Sequence, residues 1–215
     1  MKQRAIADSD KELRRQALLD GARELYLQDP QQLPTVAAIA ERCRLAKGTV
    51  YLYFKSKEEI FIALLEEGFD DLFIRVESSL TKAERGPQLI PAFAETYRDY
   101  LAERPEFLRL AAMANSVLEQ SVAPEIVLAF KRKLAAGLAA AGQQLELAAS
   151  LPSGHGASLL MRTYALTLGL WQAYDVPTAL ESMLSTPELQ LLRPDFLLEL
   201  PLAIGQLWRG AIAAA

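Results

Sequence analysis

The chain has 215 residues, 51% hydrophobic and 23% charged, which excludes a disordered polymer and allows a sizeable buried core. Its one cysteine, Cys43, excludes an intrachain disulfide. No run reaches the roughly 18 apolar residues of a membrane span, and no N-terminal stretch has a signal peptide's apolar middle, so a cytoplasmic protein without a membrane partner is expected. The net charge of −4 is unevenly spread: residues 1–57 hold 11 Lys/Arg against 7 Asp/Glu, whereas residues 58–215 hold 12 against 20. A basic N-terminal end is the electrostatic footprint of a nucleic-acid-binding module.

Residues 1–9 are polar and are expected to form a loose terminus, with Lys2 and Arg4 as its cations. From Asp10 to Gln28 the apolar residues Leu13, Ala17, Leu18, Ala22, Leu25 and Tyr26 recur at helical spacing. Asp29-Pro30 and Pro34 end that helix, and Thr35 is placed to cap the next. Two short helical runs follow, Thr35 to Arg42 and Ala46 to Tyr53, joined by Cys43-Arg44-Leu45. Two helices across so short a turn are the layout of a helix-turn-helix, whose second helix enters the DNA major groove. Val36, Ile39 and Ala40 give the first run an apolar face, and Val50 with Phe54 does the same for the second.

The other positions of the second run suit a phosphate backbone with bases behind it. Lys47 supplies charge, Thr49 a short hydroxyl, and Tyr51 and Tyr53 phenols that donate to phosphate oxygens, while Leu52 stands among them. Gly48 lets the helix start approach a duplex closely; glycine inside a helix otherwise costs about 1 kcal/mol. Ser56-Lys57-Glu58-Glu59 forms a capping box for the next helix, and Lys57 at that N-terminus makes a phosphate clamp.

Ile39-Ala40 followed by Ala46-Lys47-Gly48-Thr49-Val50-Tyr51-Leu52-Tyr53-Phe54-Lys55-Ser56-Lys57-Glu58-Glu59-Ile60-Phe61 closely resembles the signature of the TetR family of bacterial transcriptional regulators, over roughly residues 11–65. The resemblance implies an all-α homodimer of about nine helices per chain. An N-terminal three-helix helix-turn-helix domain (1–56) would bind double-stranded DNA at a palindromic operator, and a C-terminal helical domain (57–215) would bind a small-molecule effector and dimerise. In some members of the family the N-terminal arm enters the minor groove. Two positions depart from the pattern: Arg44 stands where the turn glycine is usual, and Ala46 where a serine usually starts the recognition helix. A non-glycine residue can adopt the left-handed conformation at modest cost, and Arg44 then becomes a further DNA candidate. The expected DNA-facing set is Thr35, Arg44, Lys47, Gly48, Thr49, Tyr51, Leu52, Tyr53 and Lys57.

A long helix is expected from Lys57 to about Leu80, its first turn at the DNA and its far end inside the second domain, as allosteric communication requires. Thr81 to Gln88 is a polar break. Further helices are expected at Pro87–Glu103, Pro105–Asn115, Pro124–Ala149, Gly156–Tyr174 and Pro194–Ala213, with an irregular stretch over Val176–Arg193 that holds a short helix near Pro187–Leu192. Pro201 is expected to kink the last helix or delay its start. Nothing alternates with period two, so no sheet is expected.

The segments Gly156–Tyr174 and Pro194–Ala213 are apolar all round, which requires burial on more than one side. Either they form an ordinary monomer core or, as the resemblance implies, a four-helix dimer interface built on Ala165, Gly169, Ala173, Ile204, Leu207 and Trp208. Phe107, Met113, Asn115, Phe130, Tyr164, Trp171 and Tyr174 are candidates to line an effector pocket, although each also fits plain core packing. Arg162 lies in an otherwise apolar helix, where a buried cation needs either a ligand anion or a carboxylate such as Glu95 or Asp99. Cys43 reads as a redox sensor or, with more weight, as a small buried hydrophobe. The single histidine, His155, sits in a Gly-His-Gly loop, and no cysteine or histidine cluster offers a metal site.

The reading that follows is a repressor released from DNA by a ligand, with no cofactor. Alternatives are an activator or a helical ligand-binding protein. An enzyme is disfavoured, because no nucleophile elbow, metal-ligand pair or glycine-rich phosphate loop is present.

Overall fold

The computed structural model describes residues 2–82, 88–175, 183, 186–192 and 194–213. Among them the chain is helical, with no strand, as expected. The α-helices are α1 (Lys2–Gln28), α2 (Val36–Arg42), α3 (Lys47–Val50), α4 (Lys57–Lys82), α5 (Leu89–Glu103), α6 (Pro105–Met113), α7 (Pro124–Ala149), α8 (His155–Tyr174) and α9 (Phe196–Ala213). A π-turn, Ala114–Leu118, and a 3-10 turn, Glu119–Ser121, extend α6, and a 3-10 turn spans Pro187–Leu192.

Three boundaries differ from expectation. The helix α1 starts at Lys2 rather than Asp10, so the backbone of the expected loose terminus is helical; the side chains of Lys2 and Arg4 lie outside the described residues. The second run of the helix-turn-helix is α-helical only over Lys47–Val50, and Tyr51 to Tyr53 continue as turns closed by i→i+3 bonds, Leu52 N–H to Thr49 O (3.2 Å) and Tyr53 N–H to Val50 O (2.9 Å). At the C-terminal end α9 starts at Phe196 and runs on through Pro201. It is capped by Asp195, whose Oδ1 accepts from Leu197 N–H (2.9 Å) and Leu198 N–H (3.2 Å). Much of the expected break over Thr81–Gln88 and of the connection Val176–Arg193 lies outside the described residues.

The packing forms two compact units. The first comprises Met1–Gly68 and Pro105–Lys131. Its core draws Leu18, Leu19, Ala22 and Tyr26 from α1, Ile39 from α2, Val50 from α3, Ile60, Phe61 and Leu65 from α4, and Phe107 and Leu110 from α6. The α1 positions recur at intervals of three and four, so they form one stripe. The Tyr26 ring lies 5.4 Å from that of Phe61. Leu13, at the same spacing, is exposed. Arg23 of α1 binds three carboxylates, Asp20 (3.0 Å), Glu67 of α4 (2.8 Å) and the buried Glu106 of α6 (3.4 Å). A guanidinium supplies enough donors for all three, which is how α6 can bury a carboxylate against α1.

The second unit comprises Phe69–Arg104 and Arg132–Ala215. Trp208 of α9 is its anchor: the indole is fully buried and stacks on Phe93 of α5 at 4.0 Å, and its N–H donates to Thr163 Oγ1 of α8 at 2.8 Å. Glycines bring α7 and α8 into backbone contact. A Cβ on Gly142 would stand 2.5 Å from Ala157 N, and one on Gly156 would stand 2.0 Å from Gly142 O.

Candidate functional site

Two features stand out, one in each unit. In the first, Thr35 caps α2 by accepting from Ala38 N–H at 3.2 Å. The helix ends in a Schellman arrangement, with Leu45 N–H donating to Ala40 O (2.8 Å) and Arg44 N–H to Glu41 O (3.0 Å). That geometry puts Arg44 in the left-handed region, φ 55°, where the sequence departs from glycine. Its side chain is consequently thrown outward and exposed. Cys43 is half-buried and donates to Ala17 O of α1 at 3.3 Å, close enough that a Cβ on Gly21 would meet its sulfur at 2.6 Å. Burial pushes its thiol pKa up, partly offset by Arg42. It therefore behaves as a packed thiol and not as an activated one. Arg42 in turn pairs with Glu24 of α1.

The segment from Lys47 to Phe54 is held by two residues: Val50 and Phe54 are buried, while Lys47, Gly48, Tyr51 and Leu52 face outward, Leu52 with 77% of its surface exposed. Thr35 is exposed, and Thr49, Tyr53 and Lys57 are half-buried. Lys47 Nζ lies 6.0 Å from the centre of the Tyr51 ring, so the cation and the phenol share one surface. A Cβ on Gly48 would meet nothing within 4 Å; packing inside the chain gives no reason for glycine there. The capping box is present in a variant form: Ser56 Oγ accepts from Glu59 N–H (3.2 Å), and the Glu59 carboxylate accepts from Lys55 N–H (2.6 Å).

The second unit contains a cavity of about 50 Å³, room for roughly three or four waters. Its walls are Phe69, Leu72, Phe73 and Val76 of α4, Phe93 and Tyr97 of α5, Leu134 and Leu138 of α7, and Leu160, Met161, Thr163 and Tyr164 of α8. Phe69 stacks on Phe73 (6.2 Å) and meets Tyr164 edge-on (5.6 Å). Phe73 reaches α7 because position 137 is glycine; a Cβ there would stand 2.4 Å from the Phe73 ring. Burial pushes the Tyr97 phenol up to about 12, so at any ordinary pH it is a neutral donor.

Comparison with known proteins decides the family. Residues 18–64 match the family of bacterial regulatory proteins named for tetR, and residues 66–215 match the tetracyclin repressor-like C-terminal domain. The chain belongs to the TetR family. Members of that family are bacterial regulatory proteins. Over 116 residues it is 28% identical to the HTH-type transcriptional activator FasR of Mycolicibacterium smegmatis, a match covering 54% of this chain and 53% of FasR. The matches to curated relatives span about half of their length or less. Among solved structures, the fatty acid degradation regulator FadR of Bacillus halodurans shares the fold with a TM-score of 0.59 at 17% identity, covering 90% of this chain and 93% of that one. FadR of Bacillus subtilis, solved in complex with stearoyl-CoA, gives a TM-score of 0.50 at 22% identity, covering 82% and 96%.

Of the TetR-type effector candidates, only Tyr164 lines the cavity. Phe107 and Phe130 are buried in the first unit, and Met113 is half-buried there. Asn115, in the π-turn, is exposed, with Oδ1 accepting from Lys131 Nζ at 3.2 Å. Trp171 and Tyr174 are half-buried on α8. Arg162 is exposed, so the expectation of a buried cation that needs a ligand anion or an internal carboxylate fails; Asp99, one of the carboxylates considered, pairs with Arg98 at 2.7 Å. The α8 turn carrying Arg162 points it outward because Leu159, Leu160 and Thr163 take the inner face. Tyr97, Phe93, Phe69 and Phe73 were missed, since on α4 and α5 their spacing is that of any core stripe.

The small-residue stripe Ala165, Gly169 and Ala173 is exposed, with open space around Gly169. Ile204 and Trp208, also expected at a dimer surface, are instead completely buried within the unit, and Leu207 is half-buried. The outward apolar side chains of α9 are Leu198 and Leu202, one helical turn apart. Among the described residues no helix is long and apolar enough to cross a membrane, and no cluster of His, Cys, Asp and Glu could hold a metal.

Proposed function

We propose that this TetR-family regulator is a cytoplasmic homodimer that represses transcription at a palindromic operator and leaves it on binding an apolar small molecule. Residues 1–56 act as the DNA-reading domain and residues 57–215 as the ligand-binding and dimerising domain. The observation that carries the reading is the surface of α3: Val50 and Phe54 anchor it, and Lys47, Gly48, Tyr51 and Leu52 stand clear. Lys47, Tyr51, Tyr53 and Lys57 contact phosphates, Gly48 allows close approach, and Thr49 and Leu52 meet base edges in the major groove, with Thr35 and Arg44 at the flanks. Two copies joined through Ala165, Gly169, Ala173 and Leu207, together with Leu198 and Leu202, would present two such helices about 34–36 Å apart, one turn of DNA.

The aromatic and aliphatic cavity favours an apolar effector, consistent with relatives named for fatty acid metabolism and with stearoyl-CoA bound to one of them. By linkage, the ligand weakens DNA binding by the factor by which DNA weakens ligand binding, typically 5- to 150-fold. Activation is the second reading, favoured by the likeness to FasR. The test is a gel shift on the DNA flanking the chain's own gene, with and without medium-chain lipids: the expected result is a retarded band that the ligand releases. A band strengthened by ligand supports activation, and no retarded band contradicts both readings.

A further inference from the structure

The cavity of the second unit contains one polar group that its surroundings leave unsatisfied. Tyr97 is 4% exposed, lines the cavity, and has no hydrogen-bond partner for its hydroxyl. The hydroxyls of Thr167 and Thr163 spend their protons on Thr163 O and Leu159 O, each at 2.8 Å, so neither donates to the phenol, and Thr163 Oγ1 already accepts from Trp208. Burial raises the phenol's pKa more than its interaction with the Thr167 hydroxyl lowers it, and Thr167 Oγ1, an oxygen able to accept from the phenol, stands outside hydrogen-bond geometry. The phenol therefore keeps a proton that a better-placed acceptor in the cavity can take. A buried polar atom left unpaired is destabilising, so a position that keeps one calls for a function.

No charged side chain lines the cavity among the described residues. We infer that the cavity takes the uncharged apolar part of a ligand, and that the Tyr97 hydroxyl donates a hydrogen bond to a carbonyl-type oxygen on that part. This rests on the proposed reading of the C-terminal domain as ligand-binding. A carboxylate in the same place would lose its hydration against a single neutral donor, which disfavours it strongly. Met161, a flexible wall side chain that is 45% exposed, is where an eight-carbon chain would be accommodated.

The experiment compares octane, 2-octanone and octanoate on the full chain, read by tryptophan fluorescence, because Trp208 stacks on the cavity residue Phe93. In the wild type 2-octanone binds, and octanoate at pH 8 binds at least tenfold more weakly. Tyr97→Phe lowers affinity for 2-octanone about fivefold to tenfold and does not lower affinity for octane; its thermal unfolding temperature stays level or rises, showing an intact fold. If Tyr97→Phe weakens both ligands equally or neither, the assignment of Tyr97 is overturned while apolar binding stands. Octanoate binding as tightly as the ketone overturns the uncharged class. If the wild type binds none of the three, the ligand-binding reading itself fails and takes this inference with it.

Discussion

Substitution of alanine for Gly142 should destabilise the protein although alanine is the better helix former. Gly142 lies within the 26-residue helix α7, where exchanging glycine for alanine ordinarily gains about 1 kcal/mol. Here the new Cβ would stand 2.5 Å from Ala157 N, 2.8 Å from its Cα and 2.9 Å from its Cβ. Two of these atoms are backbone of α8, so no rotamer change relieves the contact, and the helices must separate. Overpacking of this kind typically costs 1–3 kcal/mol net. The control sits in α8: Gly169→Ala adds a Cβ that meets nothing within 4 Å, and should stabilise an isolated subunit by about 0.5–1 kcal/mol. The assay is equilibrium urea unfolding at several protein concentrations, since dimerisation adds stability by mass action. Opposite signs for the two substitutions at low concentration are expected. Gly142→Ala as stable as wild type would refute the close crossing of α7 and α8. If the dimer uses the Ala165-Gly169-Ala173 stripe, Gly169→Ala should also weaken association, visible as a higher dissociation constant in sedimentation.

Three further outcomes follow from the same geometry. Ser56→Ala removes the hydroxyl that accepts from Glu59 N–H and should lower unfolding free energy by about 1 kcal/mol, measured by urea titration. Tyr97 has its pKa raised to about 12 in the folded chain, against about 10 unfolded; its contribution to stability is complete below pH 10 and is lost as pH rises toward 12. Unfolding titrations from pH 8 to 11 should therefore show a steeper alkaline decline in wild type than in Tyr97→Phe, and identical declines would contradict the burial of the phenol. Lys47→Ala should weaken binding to every DNA sequence and reduce the salt slope by about 1, whereas replacing Leu52 should alter preference among sequences. Equal losses on cognate and scrambled sites for Leu52 variants would remove it from base reading.

The helix-turn-helix was legible because its signals are local. Thr35 caps through its own side chain, Ser56 and Glu59 cap as a box, and Val50 and Phe54 lie four apart on one face. The left-handed conformation of Arg44 was open to the sequence reading because glycine is usual there in the resembled family, and the Schellman turn imposes that conformation whichever residue is present. The cavity was not legible, since Phe69, Phe73, Phe93 and Tyr97 carry the same spacing as residues that simply fill a core. Which side of an all-round apolar helix faces inward was equally hidden. Trp208 turns inward because Phe93 and Thr163 receive it, and both are distant in sequence; Leu198 and Leu202 then take the outer face. Arg162 was misplaced for the same reason, because periodicity alone cannot choose between the sides of a helix that is apolar nearly all round.

The claim on which the account most depends is that the α3 surface binds DNA through its cations and phenols. Fluorescence anisotropy with the duplex flanking the chain's own gene and a scrambled duplex of the same length, titrated from about 50 to 200 mM salt, tests it directly. The expected result is tighter binding to the flanking duplex, with log affinity falling linearly against log salt and a shallower slope for Lys47→Ala. Equal affinity for the two duplexes, with no dependence on salt, would contradict it.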